Sequence, residues 1–221
     1  MKIVVANLKM YLNSLESVNN FKSEMDSYKD RFIVAPSPIY LENFSRSGFI
    51  VSSQTVSDED WGAYTGEISS KALMDLNVPY TMIGHFEIRK RYKEESKYIP
   101  SKVSKAIENG LKVILCVGED SGEDVFDVID NELDGIIPND NLIISYEPNW
   151  AIGSDGISDL NKLEDVIKYI KNKGFKKVLY GGGVDEENIY LLNKVNNIDG
   201  FLVGSCALDA SKFKKIIEVV K

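Results

Sequence analysis

At 221 residues the chain is long enough for one substantial hydrophobic core and sits near the short end of the range for a (βα)8 barrel. With 43% hydrophobic and 27% charged residues it reads as an ordinary globular protein rather than a disordered or fibrous one. A formal net charge of -8 argues against general binding to nucleic acid or to an anionic membrane surface.

Taken in chain order, short Val- and Ile-rich runs alternate with amphipathic stretches. The first strand is expected at 2–6, followed by a helix over 14–29 with Ser14 as cap and Leu15, Val18, Phe21 and Met25 at helical spacing. Strands at 32–35, 49–53 and 80–83 come next, then a helix over 97–109 that stops at Gly110. A strand at 112–117 precedes an acidic and weakly amphipathic helix between Gly122 and Leu133. After a strand at 142–146, Ser158 is the expected cap of a helix over 158–173 ending at Gly174. Strands at 177–180 and 200–203 and a helix over 209–220 complete the series. The strands are near-continuously apolar, as a parallel sheet covered on both faces requires. Eight strand-helix repeats at about 28 residues each point to an α/β fold of the (βα)8 TIM-barrel type, eight parallel strands with outer helices. An open eight-stranded sheet would give a similar pattern. No linker interrupts the series, so one domain over 1–221 is expected.

Cys116 and Cys206 lie in apolar runs (KVILCVG and GFLVGSCAL) that suit buried, reduced thiols better than a disulfide or metal framework. The single histidine makes a histidine-based metal site a poor expectation, and no cofactor is expected. Met1 leads straight into a strand-like segment, and no run approaches 18 apolar residues, so a cytoplasmic location is expected.

In a barrel, chemistry collects at the C-terminal ends of the strands. The first strand ends in Asn7-Leu8-Lys9, and such a lysine alone reads equally as a solvated loop charge. The fourth ends in Gly84-His85-Phe86-Glu87, where a lone histidine is as readily structural. The sixth ends in Tyr146-Glu147-Pro148. A carboxylate directly after an apolar strand is awkwardly placed for mere solubility, and burial there strengthens a base. Gly181-Gly182-Gly183 and Gly204-Ser205 each read as tight turns, but at the seventh and eighth strands together they occupy the usual phosphate position of such barrels. A cation, an imidazole, a carboxylate and a phosphate cradle converging on one mouth form the inventory for proton transfer next to a carbonyl.

These motifs resemble the triosephosphate isomerase family from end to end: ANLKM (6–10), GAYTGEIS (62–69), IGHFEIR (83–89), CVGE (116–119), YEPNWAIG (146–153), YGGGV (180–184) and GFLVGS (200–205). The resemblance implies that Glu147 shuttles a proton between two substrate carbons, His85 polarises the carbonyl as a neutral imidazole, Lys9 offsets negative charge and Asn7 helps orient a small phosphorylated sugar. It implies backbone N–H donors to the phosphate at Gly153, Gly183, Gly204 and Ser205, and a lid over 150–158 supported by Glu119. Glu87 and Tyr180 match supporting positions, and Thr65 resembles a residue inserted beside a neighbouring subunit's site, so a homodimer or higher homo-oligomer is implied.

The sequence also departs from the family pattern. Phe86 replaces the serine that meets the glutamate in its resting position, and Ile88 removes a charge. The lid reads Gly153-Ser154-Asp155-Gly156 where Gly-Thr-Gly-Lys is usual; Gly183 lacks the hydroxyl that latches the lid, and Ser205 replaces a glycine. These changes leave two further expectations beside the triose phosphate isomerase: an isomerase of a tetrulose phosphate, and a catalytically impaired barrel.

Overall fold

The computed structural model describes residues 2–152 and 159–220. Among them eight strands close a barrel in the order β1 to β8, every neighbouring pair parallel, including β8 with β1. The strands are β1 Ile3–Asn7, β2 Ile33–Ala35, β3 Ile50–Ser53, β4 Tyr80–Ile83, β5 Lys112–Val117, β6 Leu142–Tyr146, β7 Val178–Tyr180 and β8 Gly200–Val203. All eight lie where the sequence places them, and closure of β1 on β8 excludes the open sheet.

The outer layer comprises α1 Leu15–Met25, α2 Leu41–Ser45, α3 Ser70–Asp75, α4 Phe86–Tyr92, α5 Ile99–Glu108, α6 Val125–Glu132, α7 Leu160–Asn172, α8 Ile189–Leu192 and α9 Ala210–Val219. None of the described helices is long and apolar enough to cross a membrane. Ser14 caps α1 as expected, its Oγ accepting from the Ser17 N–H at 3.1 Å. That helix stops at Met25 and tightens into a 3-10 turn, Asp26–Tyr28, instead of running to 29. The expected start of α7 at Ser158 lies outside the described residues. Its cap is instead Asp159, whose Oδ1 accepts from the N–H groups of Asn161 and Lys162.

Strand alternation divides the core in two. Val5, Ile33, Met82, Ile114, Cys116, Ile143, Leu179 and Leu202 form one cluster, the packed interior of the barrel. The intervening positions, such as Val4, Val34, Leu115, Ile144 and Val203, pack with Phe21, Leu163, Val166, Ile170 and Phe213 of the helices. Both strand faces are therefore buried, which is why the strands carry no polar alternation. Among the described residues, the buried imidazole and carboxylate side chains, His85, Glu119 and Glu147, all follow the C-terminal ends of strands, and buried Asn7 ends β1.

Candidate active site

The C-terminal strand ends bring Asn7, Lys9, His85, Glu87 and Glu147 together. Glu147 follows β6 directly. Its N–H bonds to the Val117 carbonyl at 2.8 Å, continuing the β5–β6 ladder one residue past the strand. Two glycines make room for it. A Cβ on Gly118 would lie 2.0 Å from the Glu147 carbonyl oxygen, and one on Gly181 would lie 2.6 Å from Glu147 Cγ. Any side chain at 181 would thus displace the carboxylate arm. Glu147 is 3% exposed, and its Oε2 stands 3.4 Å from Nε2 of His85. The resting carboxylate is turned toward the imidazole.

His85 sits two residues beyond β4, after Gly84, and caps α4. Its Nδ1 accepts from the backbone N–H of Glu87 at 3.3 Å. A nitrogen that accepts carries no proton, so in the neutral ring the hydrogen lies on Nε2, the nitrogen facing Glu147 and Asn7. Asn7 Nδ2 lies 3.4 Å from the same Nε2, while Asn7 Oδ1 accepts from the Lys9 N–H at 3.0 Å.

Lys9 adopts the left-handed conformation at φ 48°, uncommon for a residue with a Cβ. Two hydrogen bonds hold that turn, the one to Asn7 and one from Gln54 Nε2 to the Lys9 carbonyl at 2.8 Å. Gln54 also donates to the Ala35 carbonyl at 2.9 Å, tying the ends of β1, β2 and β3 together. Sequence reasoning missed Gln54. Its signal was the first long polar side chain after an apolar strand, the criterion that found Glu147. The Lys9 ammonium pairs with Glu87 Oε1 at 2.6 Å and lies 5.8 Å from the centre of the Phe86 ring. Phe86, which stands where the resemblance leads one to expect a serine, also packs against the His85 ring at 5.1 Å and offers Glu147 no hydrogen bond.

Beside these groups opens a cavity of about 690 Å³. Lys9, Gly183, Gly204 and Ser205 line it, so three of the four expected phosphate-binding residues share one wall system with the lysine. Ser205 begins a short 3-10 helix, Ser205–Leu208, and is exposed, with its side chain clear of the packed core. Gly153 and the substituted lid positions 154–156 lie outside the described residues. The outer part of the cavity is acidic, with Asp185, Glu186 and Asp209, but each is engaged locally. Glu186 pairs with Lys212 at 2.8 Å, Asp209 caps α9, and Asp185 accepts from the N–H groups of Glu187 and Asn188. Hydrogen bonding to Lys212 lowers the Glu186 pKa.

The supporting residues stand further off. Glu119, 1% exposed, accepts from the Tyr146 hydroxyl and from Trp150 Nε1 at 3.0 Å, which fixes the first residue of the expected lid. Tyr180 is fully buried, with its hydroxyl 2.6 Å from where a Gly182 Cβ would be. Thr65 is exposed on the 62–69 segment and takes no part in its own chain's site. Cys116 is buried and free as expected, and burial together with the Glu147 carboxylate holds its thiol well above the usual range. Cys206 departs from expectation. It is only half-buried and lines the cavity, because its apolar run leaves the barrel at Val203 and ends in the 3-10 turn.

A closed parallel barrel with a buried carboxylate, an imidazole of fixed tautomer and an ammonium over its strand ends defines an enzyme of the (βα)8 class. The family model described as triosephosphate isomerase matches residues 2–220. Proteins named triosephosphate isomerase from Dictyostelium discoideum (36% identical, covering 95% of this chain and 90% of the relative), Wolbachia pipientis wMel (35%, 99% and 94%) and Thermoanaerobacter pseudethanolicus (33%, 97% and 98%) are similar over nearly their whole length. The chain belongs to the triosephosphate isomerase family.

Proposed function

We propose that this chain interconverts dihydroxyacetone phosphate and D-glyceraldehyde 3-phosphate with Glu147 as the base, His85 as the electrophile and Lys9 as the countercharge. The observation that carries the assignment is the buried Glu147 carboxylate 3.4 Å from Nε2 of His85, whose other ring nitrogen accepts from the Glu87 N–H. With the substrate between them, Glu147 removes the proton from the hydroxyl-bearing carbon next to the carbonyl. The electrons of that C–H bond form the enediolate double bond, and the carbonyl electrons move onto oxygen. Nε2–H of His85 donates to that oxygen and the Lys9 ammonium offsets the charge. Through Nε2 of His85 the proton of the substrate hydroxyl passes to the former carbonyl oxygen, and return of the proton from Glu147 to the neighbouring carbon, as the other oxygen becomes the carbonyl, gives the isomer. Asn7 orients the reacting oxygens through its position against both His85 and Lys9. The N–H groups of Gly183, Gly204 and Ser205, with that of Gly153, hold the phosphate, and Glu119 steadies the lid through Trp150.

The site works in a homodimer, in the cytoplasm. A groove of about 800 Å³ lined by Met10, Tyr11, Pro38, Phe86, Ile88 and Tyr92 runs beside Lys9. Met10 is 79% exposed in it, and in the 62–69 segment that would fill it from a second copy Tyr64 is 47% exposed and Thr65 exposed, with Trp61 just before it at 86%.

A coupled assay with triose phosphates tests the chemistry. Glu147→Gln keeps the shape but not the base, and kcat is expected to fall by at least roughly 10²–10⁴-fold. Undiminished turnover in that variant would remove Glu147 from the mechanism, and faster wild-type turnover of a tetrulose phosphate would reassign the substrate.

A further inference from the structure

Against the Glu147 carboxylate, and sharing no lining residue with the 690 Å³ cavity, lies a pocket of about 10 Å³ lined by Gly84, Phe86, Arg89, Cys116, Glu132 and Glu147, among others. Among the described residues, four buried side-chain polar atoms have no hydrogen-bond partner, and two of them belong to residues lining this pocket: Arg89 Nη2 and Glu147 Oε1. One is a cationic donor and the other an anionic acceptor. A buried polar atom left unpaired costs about 1–3 kcal/mol, more when charged, so a pair of this kind at one small pocket calls for a common partner.

The volume is about that of one water molecule and too small for a carboxylate or a side chain. We propose that a single water in this pocket accepts from Arg89 Nη2 and donates to Glu147 Oε1, making Arg89 a positioning residue for the base. With Oε1 held from behind, Oε2 is presented toward His85 and the substrate. Phe86 supplies no hydroxyl on this side, so the water takes over the anchoring that a polar side chain there would give.

The rest of Arg89 is built to hold Nη2 still. Its Nε donates to the Gly84 carbonyl at 2.7 Å and its Nη1 to Ser96 Oγ at 3.0 Å. Glu132 Oε1 faces Nε at 3.5 Å, and Glu132 Oε2 accepts from the Gly118 N–H at 2.8 Å. A Cβ at Gly84 would lie 2.9 Å from Nη2, so only glycine lets the guanidinium sit so close behind His85. The charged or titratable groups packed around Glu147 are thus His85 from the end of β4, Cys116 from β5, Arg89 from α4 and Glu132 from α6.

The inference rests on Glu147 being the base, and the tests separate the two. A crystal structure of the wild-type protein at a resolution that orders buried waters should show one water within hydrogen-bond distance of both Nη2 and Oε1; its absence would overturn the proposal whatever the role of Glu147. The double variant Arg89→Met/Glu132→Gln removes the ion pair together, so no lone buried charge is left to unfold the protein. It should lower kcat roughly tenfold with KM nearly unchanged. The acid limb of the kcat/KM profile should move to higher pH, because the two charges removed largely cancel and what Glu147 loses is the water hydrogen bond that favours its carboxylate form. A profile that stays in place shows Arg89 to be merely structural and sinks the idea. If the double variant does not fold, the wild-type water decides the matter alone.

Discussion

Cys206 and Cys116 show how two thiols in similar apolar runs acquire different environments. Cys116 points into the barrel, while Cys206 stands half-buried on the wall of the substrate cavity, where a reactive thiol would be a liability. Burial, and then the neighbouring Glu186 carboxylate at 3.5 Å, push its pKa up to about 12 from an ordinary 9.0. The thiolate is the nucleophile, so a rise of that size makes Cys206 a poor one at neutral pH. Alkylation by iodoacetamide, followed by mass spectrometry, should proceed roughly 30–60-fold more slowly than for a free cysteine peptide, allowing for the greater intrinsic nucleophilicity of a high-pKa thiolate. Glu186→Gln should speed it, because one of the two causes is removed. A wild-type rate equal to the free peptide's would refute this account of the site wall.

At the scale of elements, the caps test how far local chemistry fixes the helices around the site. Helix α7 buries Leu163, Val166, Ile167 and Ile170 and follows the proposed lid segment, and its first turn depends on the Asp159 carboxylate. Asp159→Ala should cost about 1 kcal/mol, while Asp159→Asn, which keeps the acceptor, should cost only a few tenths. In thermal unfolding the alanine variant should melt about 2–4 °C lower. Equal melting of both variants would mean the cap contributes nothing. The same elements explain what was legible in the sequence. All eight strands were, because both faces of a parallel barrel strand are buried and the apolar run ends where the strand ends. Helix α4 was not. It has seven residues, mostly charged, with none fully buried, and it exists because His85 caps it and because its first turn delivers the Glu87 N–H to Nδ1. Lys9, His85 and Glu147 were legible as polar residues on strand ends. The clamp by Gln54 and the arginine behind Glu147 were not, since both depend on contacts between segments far apart in the chain.

At the scale of the whole molecule, the proposed dimer covers the groove beside Lys9. The Lys9–Glu87 pair would carry the countercharge in the proposed mechanism, yet the Glu87 side chain is 43% exposed in the isolated chain. An ion pair open to water is worth little, and its geometry is loosely held. Covering the groove with the 62–69 segment of a second copy would bury Met10 and Tyr92, now 79% and 70% exposed, and place Thr65 beside the pair. Assembly and catalysis should therefore be coupled. Sedimentation velocity at micromolar concentration should show a dimer for the wild type. In the proposed dimer Thr65→Arg would put a long cation on the inserted segment, near Lys9 of the neighbouring copy, and should shift the protein to monomer. The monomer should keep the barrel's far-ultraviolet circular dichroism while losing at least roughly tenfold in kcat, as expected when catalytic groups are no longer held in place. A wild-type monomer with full activity would refute the coupling. So would a Thr65→Arg monomer as active as the dimer, since each barrel would then hold its Lys9 unaided.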